Sequence, residues 1–436
     1  MHGQPTQDSD ALFTALTSLI LGLTLLYICL VSLTVPHRSL RYLRLALTPP
    51  AIFCFRNFGF GKYAPHSGTK ISGIATVALY GIMRVLEVST ISFWDATPPH
   101  WVKRTERKNG VSLVQPLPQS CRDRCFYAFD LLTSLRGSSW SSHLEWDWIP
   151  LRFRMWPSIP RRQFLVDNMK SLFIQYLTMD MCDAINKSRV WDPRVPNAVT
   201  SLSLSNQLLF TLSLCTSTIL AITIPYTIIS SLFVMCGSSP RSWPPMFNSP
   251  FYSASLKDFW SNRWHWMFRR VFNRLAFPFG GLSRSACHNH TDVNGVHSIV
   301  RPIIAFALST LLHLSIMHRV TLTCREQCEA DNGTFWDRST IRFFMAQPVG
   351  LLLESTVITY LGDWLCMRER RPQMVQKHFS ACWQRDVIKR VYVWIFLLWT
   401  GRWWADKWVQ SGLFHEKEKV VPLTIVRGLW RGQWTT

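Results

Sequence analysis

Charged residues are absent from Ala11 to Val35, a run long enough, at about 1.5 Å per residue, to cross a hydrocarbon core of about 30 Å. Asp8 and Asp10 precede it and Pro36, His37 and Arg38 follow it, the reverse of a secretory leader with its basic start and small-residue cleavage site. It reads as a retained span whose C-terminal end is cytosolic. A larger uncharged block, Val195 to Pro240, is broken by Pro225 and predicts one long kinked helix or two short ones. Shorter apolar candidates are Leu45 to Phe55 (interrupted by Pro49 and Pro50), Ile71 to Ser92 around Arg84, Phe164 to Met181, Pro302 to Met317, Phe343 to Leu361 around Glu354, and Val391 to Thr400. Together they predict an all-α fold, a multi-pass transmembrane helical bundle of roughly seven to nine spans, the short ones tilted, re-entrant or buried among neighbours.

The polar stretches between these blocks divide by charge. Trp94 to Arg162, Arg241 to Arg274 and Arg368 to Arg390 are rich in Lys and Arg, which places them on the cytosolic side. Arg319 to Arg338 is close to charge-balanced and holds Cys324, Cys328 and the sequon at Asn332, which suits an oxidising lumen. Further sequons at Asn186 and Asn289 fall where cytosol or interface is expected. The whole chain carries 47 Lys and Arg against 26 Asp and Glu, a net charge of +21. Such an excess resembles a nucleic-acid binder, but it lies chiefly in the loops assigned to the cytosol and reads as orientation and headgroup contact, so no nucleic-acid partner is assigned. The expected organisation is N-terminal spans over 1–92, a basic cytosolic loop with a tryptophan cluster over 93–163, a membrane core over 164–412 and a weakly ordered tail over 413–436.

Several familiar chemistries lack their motifs. There is no G-x-S-x-G elbow and no G-x-x-x-x-G-K-[ST] loop, and Gly59-Phe60-Gly61 lacks a third glycine, so hydrolase, ATPase and dehydrogenase readings lose their support. Cys287, His288, His290, Asp292 and His297 match no common zinc spacing, and no metal site is assigned. From Lys257 to Arg270, at about 100° per residue, Trp260, Trp264, Met267 and Val271 share one face and Asp258, Asn262, His265 and Arg269 the other, predicting an amphipathic interfacial helix. His313 sits inside an uncharged helix, where an ionisable group is costly and marks function by default. Ser309 and Thr310, one turn earlier, are placed to fix its tautomer. Gln347 and Glu354 lie on one face of the next helix, with Gly350 between them for close approach. They form either the polar lining of an intramembrane reaction chamber or a helix contact. Glu354 needs a partner, and His313 and Arg84 are the candidates.

At these residues the chain resembles the wax-synthase-like branch of the membrane-bound O-acyltransferases, in particular its fungal members that acetylate terpenoid and meroterpenoid alcohols. Four blocks carry the resemblance: Leu131-Leu132-Thr133-Ser134-Leu135-Arg136-Gly137 followed by Trp140, Trp146 and Trp148; Phe259-Trp260-Ser261-Asn262-Arg263-Trp264-His265; the span ending in Leu311-Leu312-His313, with Thr310 where the family has glycine; and Phe343-Phe344-Met345-Ala346-Gln347-Pro348-Val349-Gly350 with Glu354. The resemblance implies acyl transfer from acetyl-CoA, a co-substrate rather than a bound cofactor, to a lipophilic alcohol at the endoplasmic reticulum membrane. It implies His313 as catalytic base and His265 as the second active-site histidine. Substrate contacts are expected from Trp260, Asn262, Arg263, Trp264, Arg269, Arg270, Gln347 and Glu354. Of these, Asn262 or His265 would bond the thioester oxygen, and Arg263, Arg269 and Arg270 the CoA phosphates. Long-chain alcohol acylation is the nearest alternative, and solute transport an alternative of another class.

Overall fold

The computed structural model describes residues 4–65, 67–91, 98–103, 114–134, 137–149, 159–188, 198–264, 268–276, 295–328, 334–358, 360, 376–411 and 420–435. The elements are α1 (Gln4–Ser32), α2 (Arg38–Phe60), α3 (Gly68–Leu86), β1 (Trp101–Lys103), α4 (Cys121–Thr133), β2 (Leu144–Trp146), α5 (Arg161–Asn186), α6 (Leu204–Met235), α7 (Arg269–Ala276), α8 (Gly295–Cys328), α9 (Arg338–Leu353), α10 (Gln376–Gln410) and α11 (Ile425–Arg431). Each apolar stretch named above has the main part of its described residues on a helix. α2 runs through Pro49 and Pro50, and α6 through Pro225, so neither stretch is divided. Starts are marked by caps: the Ser67 hydroxyl accepts from Lys70 N–H, Ser120 from Asp123 N–H and the Asp337 carboxylate from Thr340 N–H, each satisfying one orphan amide of the first turn.

Among the described residues, four helical segments are long and apolar enough to cross a membrane: Ser9–Ser32, Gly68–Thr90, Leu204–Met235 and Pro302–Thr323. The other apolar stretches lie on helices that are shorter, such as α9, or carry more charge, such as α2 with Arg38, Arg41, Arg44 and Arg56. The stretch from Arg319, expected as a loop, is helical to Cys328 because α8 continues beyond its apolar part. Among the described residues strand is confined to β1 and β2, an antiparallel pair with Trp101 opposite Trp146.

The chain divides into two compact units, with α5 and α6 each contributing one part to each. In the first, Leu26, Leu30, Phe55, Val85, Tyr127 and Trp146 form one buried core. A Cβ on Gly81 would lie 2.4 Å from the Phe55 ring, so only glycine lets α2 and α3 meet there. The basic loop is organised by Asp130, which is wholly buried. Its carboxylate accepts from Ser134 Oγ (2.9 Å), Trp140 N–H (2.9 Å) and Trp101 Nε1 (2.8 Å). Burial pushes this carboxyl above the usual range, against those same bonds. The second unit gathers Phe306 on α8, Phe343 and Phe344 on α9, and Trp404 on α10.

Candidate active site

His313 is half-buried on α8, with Nδ1 2.8 Å from the Ser309 carbonyl oxygen and 3.5 Å from its hydroxyl. A carbonyl only accepts, so the proton is assigned to Nδ1 and Nε2 presents its lone pair. Thr310 takes no part, because its hydroxyl donates to Phe306 O at 2.7 Å. Of the two residues expected to fix the tautomer, Ser309 does so, mainly through its backbone. The Phe344 ring lies over the imidazole with centroids 4.3 Å apart.

The amphipathic helix expected over Lys257 to Arg270 does not form. One α-turn, Leu256–Asp258, passes into a π-helical turn, Phe259–Arg263, and the chain turns extended at Trp264 (φ −93°, ψ 130°). Side-chain bonds end the helix. Arg263 pairs with the Asp258 carboxylate and donates to the Asn248 and Ser249 carbonyls, each at 3.1 Å, while Asn262 Nδ2 donates to Asp258 Oδ1 at 3.1 Å. Such local bonds compete with the helical ladder. They also show Arg263 engaged in closing this turn. Trp264 is buried against Phe259 and Phe247, at 5.2 and 5.4 Å between centroids. His265 lies outside the described residues, as do Trp266 and Met267.

α9 holds this segment at two points. Gln347, with no exposed surface, accepts from Trp260 Nε1 (3.1 Å) and donates to Phe343 O (2.9 Å) and Thr400 Oγ1 (3.2 Å). The partners found for Glu354 are the amides of Leu256 (2.7 Å) and Lys257 (3.2 Å), so its carboxylate caps the segment's first turn. A Cβ on Gly350 would lie 2.4 Å from Phe396 and 2.9 Å from Leu256, the close approach expected of it. Gln347 and Glu354 are thus helix contacts that shape the segment around Trp260.

In the other unit, Glu87 opens a π-helical turn, Glu87–Ile91, at the end of α3. It pairs with Arg84 and, at 2.7 Å, with Arg270 on α7. Arg84 is bound here, and its Nη2 also donates to Leu131 O at 3.1 Å. The Arg270 guanidinium lies 3.9 Å above the Trp148 ring, which stacks on Trp146 at 4.9 Å. Arg269, the first residue of α7, is exposed.

Residues 420–435, within the tail expected to be weakly ordered, carry a helix docked on α5. Asp180 Oδ2 accepts from the Ile425 and Val426 amides at 2.7 and 2.8 Å, and Asp183 pairs with Arg427 at 3.0 Å and Lys187 at 2.9 Å, which docks α11 on α5. Burial pushes the Asp183 carboxyl above the usual range, opposed by Lys187 and Arg427. Two aspartates at the end of an apolar stretch were the available signal.

Residues 243–346 match the Membrane bound O-acyl transferase family. Acetyltransferase ataH of Aspergillus terreus is 34% identical over 144 residues, 30% of this chain and 39% of that protein. Acetyltransferase aurG of Calcarisporium arbuscula is 27% identical over 40% of this chain and 37% of its own length. Acetyltransferase ple2 of Rhodocybe pseudopiperita is 25% identical over 72% of this chain and 74% of its own. The first two matches span less than two-fifths of those relatives' length. The matched segment holds Trp260, Asn262, Arg263, Trp264 and His313, and over it the chain is similar to the Membrane bound O-acyl transferase family.

Proposed function

We propose that the protein is an acyl-CoA-dependent O-acetyltransferase that esterifies a hydroxyl of a hydrophobic terpenoid or meroterpenoid, embedded in the endoplasmic reticulum membrane. The observation that carries this reading is the Ser309 carbonyl bond to His313 Nδ1, which in the neutral imidazole makes Nε2 the acceptor, inside an apolar helix. The acetyltransferase names of the relatives support the acyl group.

In the reaction His313 Nε2 takes the hydroxyl proton as the alcohol oxygen attacks the thioester carbonyl carbon. The tetrahedral intermediate collapses with loss of the C–S bond, and the proton passes to the thiolate to give free CoA and the ester. A positioned histidine base contributes roughly 10² to 10⁴ in rate. No nucleophilic Ser or Cys is invoked, so transfer is direct. By the resemblance, His265 is the second histidine of the site. Arg269, exposed at the start of α7, meets the CoA phosphates from the cytosol, and the alcohol arrives through the bilayer.

The test uses membranes containing the protein, given acetyl-CoA or palmitoyl-CoA with a panel of terpenoid and fatty alcohols. Acetyl ester from a terpenoid alcohol is expected; ester from palmitoyl-CoA alone overturns the acetyl assignment. His313→Ala should lower turnover by at least 10²-fold with normal accumulation, and wild-type turnover in that variant would remove His313 from the chemistry.

A further inference from the structure

Trp260 belongs to a continuous layer of rings beside His313. Phe344 lies over the imidazole at 4.3 Å between centroids, Phe343 meets Phe344 at 4.8 Å, Trp260 meets Phe343 at 6.4 Å, and Phe306 meets Trp260 at 5.4 Å. The three contacts among the aromatic side chains are edge-to-face, at distances typical of rings in direct contact. Such contact leaves no slot between neighbouring rings for a polymethylene chain.

The indole within this layer is held by one group. Its Nε1–H donates to Gln347 Oε1, while the Gln347 amide nitrogen is bound by Phe343 O and Thr400 Oγ1. The Thr400 hydroxyl donates its own proton to Phe396 O at 2.8 Å, so its oxygen accepts from Gln347. The amide of Gln347 is therefore oriented by α9 and α10 before it meets the indole. Trp260 is half-buried, and an indole N–H withdrawn from water without an acceptor is disfavoured, which ties the position of Trp260 to Gln347.

We propose that the Trp260, Phe306, Phe343 and Phe344 layer limits the acyl group accepted beside His313 to short chains, and that Gln347 is the positioning residue that keeps Trp260 in the layer. The inference rests on the acyltransferase reading. Gln347→Leu removes the acceptor and releases the indole, opening the layer to longer acyl chains.

The test measures kcat/KM for hexanoyl-CoA relative to acetyl-CoA in membranes. Gln347→Leu and, independently, Phe306→Val should each raise that ratio at least tenfold, while Trp260→Phe, which keeps a ring but has no N–H, should make the added Gln347→Leu change silent. The Phe306→Val arm decides the matter if Gln347→Leu does not accumulate. An unchanged ratio in both variants, with wild-type acetyl transfer intact, overturns the layer as a limit and leaves the function reading standing. A raised ratio in Gln347→Leu that persists in the Trp260→Phe background overturns the positioning role. No acetyl ester from the wild-type protein overturns both readings.

Discussion

Glu87 and Glu354 occupy equivalent places in the two units and are held in different ways. Each opens a π-helical turn at the C-terminal end of a helix, and each is buried. Glu87 meets the guanidinium groups of Arg84 and Arg270, whereas Glu354 takes two backbone amides at the start of the turn that precedes Trp260. Amides are fixed by the fold and carry no net charge, so the Glu354 contact sets geometry. Guanidinium groups are themselves costly to bury, so the Glu87 contact is first a matter of neutralising charge. The same residue type thus serves stability in one unit and the shape of the candidate site in the other.

The largest expected effect breaks the charge-holding region. Glu87→Gln leaves Arg84, 4% exposed, without its carboxylate, and removing one partner of a buried pair costs about 3–5 kcal/mol. Thermal unfolding in detergent, followed by intrinsic fluorescence at one scan rate, should show a large drop in Tm, and Arg84→Met in the same background should recover part of it. A drop no larger than that of Glu354→Gln would erase the contrast between the two carboxylates.

Glu354→Gln comes next. The amide keeps one acceptor for the Leu256 or Lys257 N–H and turns a donor toward the other, a loss of about 1.5–3 kcal/mol for a bond to a charged group. Its distinctive outcome is functional: ester formation in the membrane assay should fall further than the change in Tm would predict, because the segment carrying Trp260 loses its cap. A variant that loses stability and activity in parallel would make Glu354 a packing residue like any other.

The periodic apolar stretches marked the helices correctly because an uncharged run has few other structures available in a membrane, and His313 stood out for the same reason. The end of the helix at Trp264 was hidden, since the 3.6-residue pattern over 257–270 is sound and the interruption comes from Arg263 reaching Asp258, Asn248 and Ser249. Tail docking was hidden by distance: Asp180 binds amides 245 and 246 positions later. The roles of Gln347 and Glu354 were half visible, their shared face being periodic but their partners belonging to other elements.

The smallest expected effect sharpens the comparison from within the Glu87 cluster. Arg270→Lys keeps the charge beside Glu87 but replaces a planar fork that both pairs with the carboxylate and stacks 3.9 Å above Trp148. An ammonium keeps the Coulomb attraction and loses the flat contact, for a cost of about 1 kcal/mol. If Arg270 serves mainly as the counter-charge of Glu87, Arg270→Lys should shift Tm by only a few degrees and Arg270→Met by clearly more. Equal losses in the two variants would assign the work to the stacked guanidinium and not to its charge, and the Glu87 region would then resemble the Glu354 region, a device for geometry.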